Sequence, residues 1–421
     1  MSHIATALVA TTVTTALALP LTAPEPATAR PGARSAPPAA AAVAAADRPY
    51  GPCALTGIQD LVSETAHTPR GYARSSGTVR AITLFVDFPD APADGTVAER
   101  YGEFFPRASE FFRAASYGRL DYRATAHARW IRMSRPFAAY GIKRGTPFDP
   151  ASDSGYYAVS KEILAAVDRD VDFSRYDVIN VLAAPNAGPP ATETVLSVTF
   201  GGGPLGLDTD DGVPFTNASF IWSRQTGDSA FRVLDHEVGH AFGLPDLYYT
   251  DGSGRPPAVG HWDPMDEDWG PNNDFLAWHK WKMGWLGADQ VHCVPHAGTS
   301  THTLTPTTTA DGTKLIAVPL SGHRAITVEA RDRGPVDAAV CRPGVLVATV
   351  DTTAAGGTGP VRVADATPGS AGCADGTPNV SPRLSDATYT AGQTFAADGV
   401  TVDVLGRDDA GRWRVRVTSE R

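Results

Sequence analysis

The chain has 421 residues, 42% of them hydrophobic, which is enough for a sizeable core and, by length, for two globular domains. Its formal net charge is −10 and no basic patch stands out, which argues against nucleic acid and anionic membrane as partners. Arginine outnumbers lysine 31 to 5, a trait of a high-GC genome that says nothing about mechanism.

Residues 4–21 form an apolar Ala/Leu/Val/Thr run, and Ala27-Thr28-Ala29 then offers an A-x-A cleavage site. Residues 1–29 therefore read as a signal peptide, and the protein as secreted. The start amine and His3 are the only positive charges before the run, which leaves a non-cleaved anchor or another start open. No later stretch reaches the ~18 apolar residues of a membrane span. Residues 30–76 read as an Ala/Pro-rich linker followed by a short pro-segment or an N-terminal strap. Strands are expected at 79–88, 120–126, 129–133, 178–183 and 218–222. Helices are expected at 101–115, broken by Pro106, at 156–167 and at 231–242. This alternation makes the first part α/β or α+β. One more helix is expected at 275–283. From 287 onward Thr and Val rise, Gly and Pro punctuate, and strand-like runs recur at 314–319, 325–330, 344–350, 400–405 and 413–417. Residues 287–421 thus read as an all-β, sandwich-like domain after a domain at 77–286.

The four cysteines, Cys53, Cys293, Cys341 and Cys373, form an even, sparse set that suits two disulfides in an exported protein. The favoured pairing is Cys53–Cys293 and Cys341–Cys373, each closing within one domain. A zinc-capping thiolate at Cys53 is the alternative. His292 and His296 flank Cys293 at a spacing that suits no strong zinc pattern.

The chemistry concentrates in H-E-x-x-H-x-x-G-x-x-D, His236 to Asp246. With 11 His and 11 Glu, a chance H-E-x-x-H arises about once in a hundred such chains. On a helix, His236 and His240 leave one face a turn apart and can grip one tetrahedral Zn²⁺. Leu234, Val238, Ala241 and Phe242 form the apolar stripe opposite. Glu237 is placed to act on a zinc-activated water without binding the metal. Gly243 lets the chain turn back, so that Asp246 arrives as third ligand and a fourth position stays open, as in a catalytic site. Glu267 is a rival third ligand. Asp235 is a candidate to orient an imidazole or a surface acid, and Tyr248, Tyr249 and His261 are candidate oxyanion donors. The acidic Gly turns at 208–212 and 251–254 could take Ca²⁺ or be plain turns; neither matches an EF-hand loop.

The run 236–248, HEVGHAFGLPDLY, resembles the signature of the immune inhibitor A family of secreted bacterial metallopeptidases. Gly260-His261-Trp262-Asp263-Pro264-Met265 is similar to its Gly-x-Trp-Asp-x-Met segment, 276–286 to its Trp-rich helix, and 116–120 to a Ser-Tyr-Gly-Lys-Leu stretch. The resemblance covers about 78–286. It implies an α+β, metzincin-like zinc peptidase domain with Met265 as the floor of the metal site. It also implies a propeptide. Asp266-Glu267-Asp268 depart from the small residues usual after this Met. The function implied is a secreted zinc endopeptidase acting on proteins or peptides. A non-catalytic binding protein on the same scaffold and a zinc hydrolase of a non-protein amide, such as a cell-wall component, are the alternatives.

Overall fold

The apolar run at 79–88 becomes β1 (Gly77–Asp87), which is buried on both faces. In the computed structural model the described residues are 51–57, 64–65, 68–187, 197–222, 230–268, 273–338, 340–370, 372–373 and 383–421. The expectations for the signal peptide and for the linker up to residue 50 lie outside them. No described helix is long and apolar enough to cross a membrane.

β1 pairs in parallel with β2 (Leu120–Arg132) and β3 (Val178–Ala183); β3 pairs in parallel with β5 (Ala218–Ile221), and β4 (Val198–Phe200) closes that edge antiparallel. The sheet order is β2-β1-β3-β5-β4. The strands expected at 120–126 and 129–133 are one strand. Its register shifts where Ala126 faces Thr83 and Trp130 faces Phe85, so three residues oppose one as a bulge. The segment divides into two helices as expected, α1 (Val97–Gly102) and α2 (Arg107–Ala115), with Pro106 at the N-cap of the second. Ile82, Leu84 and Val86 of β1 face α3 (Gly155–Val167), whereas Val79, Ala81 and Phe85 join the core of α2 and α4 (Ala230–Ala241). Layers on both faces are why these strands read as continuous apolar runs.

The C-terminal strands form two sheets. One has the order β11-β10-β9-β8-β6 and the other β12-β13-β14-β7. The first contains β6 (Val291–Cys293), β8 (Leu315–Pro319), β9 (Arg324–Arg331), β10 (Gly344–Asp351) and β11 (Val361–Val363). The second contains β7 (Gly298–Leu304), β12 (Thr394–Ala397), β13 (Val400–Arg407) and β14 (Trp413–Ser419). Ile316, Val328 and Val347 meet Val402, Trp413 and Val415 between the sheets. The alternate residues Leu315, Ala317, Leu346 and Ala348 share a core with Phe231 and Val238 of α4. Arg48–Arg421 form one compact unit. Both expected disulfides form. Cys53–Cys293 ties the segment 51–57 to β6.

Between these layers lies α5 (Ala277–Lys282), buried all round despite a histidine and two lysines. Burial of charge demands partners. Trp278 Nε1 donates to Glu64 Oε2 (3.0 Å), and His279 Nε2 lies 2.9 Å from Glu64 Oε1. His279 Nδ1 is 2.7 Å from Asp263 Oδ2, an ion-pair contact without good hydrogen-bond alignment. Lys280 pairs with Asp274, and Arg331 spans Asp337 (2.6 Å) and Glu329 (3.0 Å). Burial alone would lower the His279 pKa, but Asp263 and Glu64 more than reverse it, to about 10. A folded pKa above the unfolded value, about 6.5, means stability that is full below pH 6.5 and lost as pH rises towards 10. Above pH 8 burial acts with the opposite sign on Lys282 and Lys314, both pushed down to about 8. With zinc saturating, urea unfolding between pH 6.5 and 8 should show stability falling by about 1 kcal/mol per pH unit. That slope should flatten in His279→Gln; an equal slope in both proteins would show that His279 is not held protonated beside Glu64 and Asp263.

Candidate metal centre

Helix α4 sets the first two ligands. Leu234, Val238, Ala241 and Phe242 pack in the core as the sequence pattern requires, with Phe242 edge-on to Phe112 at 5.7 Å. The opposite face presents His236, Glu237 and His240. The helix ends in a Schellman turn, with Leu244 N–H donating to Gly239 O (3.0 Å) and Gly243 N–H to His240 O (2.9 Å). Gly243 has φ +86, and a Cβ there would lie 2.6 Å from Pro69 Cδ. Conformation and close approach of the strap thus both call for glycine. Lys282 Nζ donates to the Gly243 carbonyl (2.8 Å). The returning chain brings Asp246 to the two histidines.

His236 Nε2 and His240 Nε2 are 3.1 Å apart, and Asp246 Oδ1 is 3.3 and 3.2 Å from them. A tetrahedral zinc about 2.0–2.1 Å from each ligand requires edges of about 3.3 Å. Each imidazole is oriented by a backbone carbonyl. His236 Nδ1 donates to Pro264 O and His240 Nδ1 to Leu244 O, both at 2.8 Å. The Nε2 atoms are then lone-pair donors, two acceptors facing each other, and the buried Asp246 Oδ1 receives no hydrogen bond. Three such atoms converge stably on a shared cation or proton. The electrostatics agree. Burial alone would depress His236, but Asp246, Asp268 and Glu237 more than reverse this, to about 10. Burial would raise Asp246, but both imidazoles hold it well below the usual carboxylate range. A field that favours protons on two imidazoles also favours a divalent ion between them. Among the described residues this is the one group of three or more His, Cys, Asp or Glu able to hold a metal. Burial raises the Glu237 pKa. Thr199 of β4 fixes that carboxylate (Oγ1···Oε2 2.7 Å) and lies 2.8 Å from Ser219 Oγ.

Met265 is fully buried beneath this face. Its sulfur would lie 2.6 Å from a Cβ at position 239, between the two histidines, so Gly239 lets the floor approach the helix. Leu247 N–H donates to Met265 O (2.9 Å), tying the floor to the ligand loop. Glu267 is not brought to the imidazoles; its Oε1 lies 3.9 Å from a Cβ built on Gly260. Asp266 closes that turn by accepting from Val259 and Gly260 N–H.

Asp235 neither orients an imidazole nor lies on the surface. It is buried, neither carboxylate oxygen has a hydrogen bond, and burial raises its pKa strongly. Tyr248 lies beside the site, its ring 6.2 Å from that of His236. Tyr249 is stacked under Arg255, and the buried His261 lies against the Trp262 ring (4.7 Å), its pKa lowered by burial and by Arg331. Cys53 is disulfide-bonded and caps nothing. In the acidic turns, Asp251 accepts from Ser253 N–H and Arg255 within its own turn, and Asp211 accepts from Phe173 N–H outside its turn. Thr199, Gly239, Lys282 and the two orienting carbonyls escaped the sequence reading. Of these only Gly239, an x in the motif, left a trace that a packing argument could have used.

Fold and site together define a mixed α/β chain with a candidate three-ligand metal centre and an adjacent carboxylate. No protein-family model matches the chain. It is similar to Immune inhibitor A of Bacillus thuringiensis subsp. alesti, 27% identical over 215 residues that cover 43% of this chain and 30% of that protein. The chain therefore spans less than a third of the length of that relative.

Proposed function

We propose that the protein is a secreted zinc-dependent endopeptidase held by His236, His240 and Asp246, with Glu237 as general base. The observation that carries this is the triangle of His236 Nε2, His240 Nε2 and Asp246 Oδ1, 3.1–3.3 Å on a side, with a buried carboxylate on the next residue of the same helix. The similarity to Immune inhibitor A supports the peptidase class, and the two disulfides suit an extracellular setting. Zinc bound there would lower the pKa of a water towards neutrality and polarise a substrate carbonyl. Glu237 takes a proton from the attacking water and returns it to the leaving amine. Its burial raises its proton affinity, and Thr199 holds one of its oxygens, leaving the other to take the proton. Of the three phenol and imidazole candidates, Tyr248 is the one beside a ligand ring, and it is our assigned donor to the developing oxyanion.

The substrate class follows from β4. It is an antiparallel edge strand with no described neighbour on its outer side, and Thr199 joins it to Glu237. An extended peptide laid along such an edge adds a strand through main-chain hydrogen bonds. A protein substrate is thus favoured over a cell-wall amide, and the intact Glu237 argues against a non-catalytic scaffold. Casein and purified peptidoglycan, offered to the same preparation, distinguish these. New amino termini from casein alone are the expected result; release from peptidoglycan alone would overturn the peptidase assignment.

A further inference from the structure

Two of the proposed ligands sit on one helix, but Asp246 lies on a loop five residues beyond its end. A loop ligand needs external support to hold its geometry. The strand connection β10–β11, residues 352–360 (TTAAGGTGP), supplies it from the C-terminal sheets. Gly357 N–H donates to Asp246 O (2.9 Å), and Thr250 N–H donates back to Gly357 O (2.9 Å). Tyr249 and Thr358 form a β-bridge. The fit is close at three successive points. A Cβ at Gly356 would lie 3.2 Å from Pro245 Cβ, one at Gly357 2.3 Å from Thr250 Oγ1, and one at Gly359 2.9 Å from the Tyr249 ring. The other end of the connection is anchored too. Thr352 N–H donates to His323 O (2.9 Å), and its hydroxyl donates to Thr56 O on the strap that Cys53 fixes.

We infer that the β10–β11 connection is a positioning element of the metal centre, with Gly357 as its key residue, so that the C-terminal sheets complete the site rather than serve as a separate binding module. The inference rests on the zinc assignment made above. It predicts that disturbing a loop more than 100 residues downstream in sequence weakens metal binding without touching a ligand.

The test is zinc affinity, measured by competition with a chromophoric chelator, together with the visible spectrum of the Co²⁺-loaded protein. Gly357→Ala adds a methyl against Thr250 and strains φ +75; Gly356→Ala is the gentler push on Pro245. Gly392→Ala is the control, because it strains a similar φ of +83 with nothing within 4 Å. The expected result is a loss of about 10–100-fold in zinc affinity for Gly357→Ala, the size typical of a lost outer support. The Co²⁺ spectrum should change with it, while Gly392→Ala binds as wild type. If Gly357→Ala does not fold, Gly356→Ala decides alone, with about 10-fold or more expected. Wild-type affinity and spectrum in the folded variants overturn the inference while leaving the zinc assignment standing. A wild type that binds no zinc overturns that assignment itself.

Discussion

Glu237→Ala should abolish casein hydrolysis, with kcat down by about 10³-fold or more, while zinc stays bound at the wild-type level. General bases typically contribute 10²–10⁴-fold. The split between the two readouts is what matters. Glu237 is held by Thr199 and makes no contact that orients His236 or His240, whose Nδ1 protons go to Pro264 and Leu244 carbonyls. Removing its carboxylate should therefore leave the metal site intact. Retained turnover would mean that another group moves the proton. Loss of zinc along with activity would place Glu237 among the ligands instead.

Asp246→Ala should cost zinc affinity by more than the roughly 10–100-fold that a lost outer partner costs, whereas Glu267→Ala should leave it within a few-fold. The two carboxylates were rivals in the sequence, and the difference lies in the Gly243 turn. The left-handed glycine, closed by the Leu244-to-Gly239 bond and gripped from outside by Lys282, throws the chain back over the helix. Titration of each folded variant with zinc against a chelator reads this directly. The reverse outcome, tight binding by Asp246→Ala and weak binding by Glu267→Ala, would replace the third ligand.

Much of the core was legible because it obeys local periodicity. The stripe from Leu234 to Phe242 specifies which face of α4 is buried, and the facing residues then fall to the site by elimination. Strand β3 carries no polar alternation because both of its faces are covered. What escaped the sequence depends on long-range contact. β4 is three residues long, too short for a period, yet it carries the hydroxyl that holds Glu237. The carbonyls of Pro264 and Leu244 have no side-chain signature at all. A helix was expected at 275–283 with no partners for His279, Lys280 and Lys282, and only the assembled layers show acids from 64, 263 and 274 converging on them. In the same way, the composition change near 287 marks a shift from mixed to β structure but not the core that the two parts share. The Cys53–Cys293 pair was anticipated, and its role as a tie between strap and β6 was not.

The most direct measurement is the zinc content of the purified, folded wild-type protein, taken alongside casein hydrolysis before and after chelation and again after zinc is restored. One zinc per chain, with cleavage lost on chelation and recovered on zinc addition, is the expected result. A folded protein that takes up no zinc, or that cleaves equally well without it, would contradict the metal centre built from His236, His240 and Asp246.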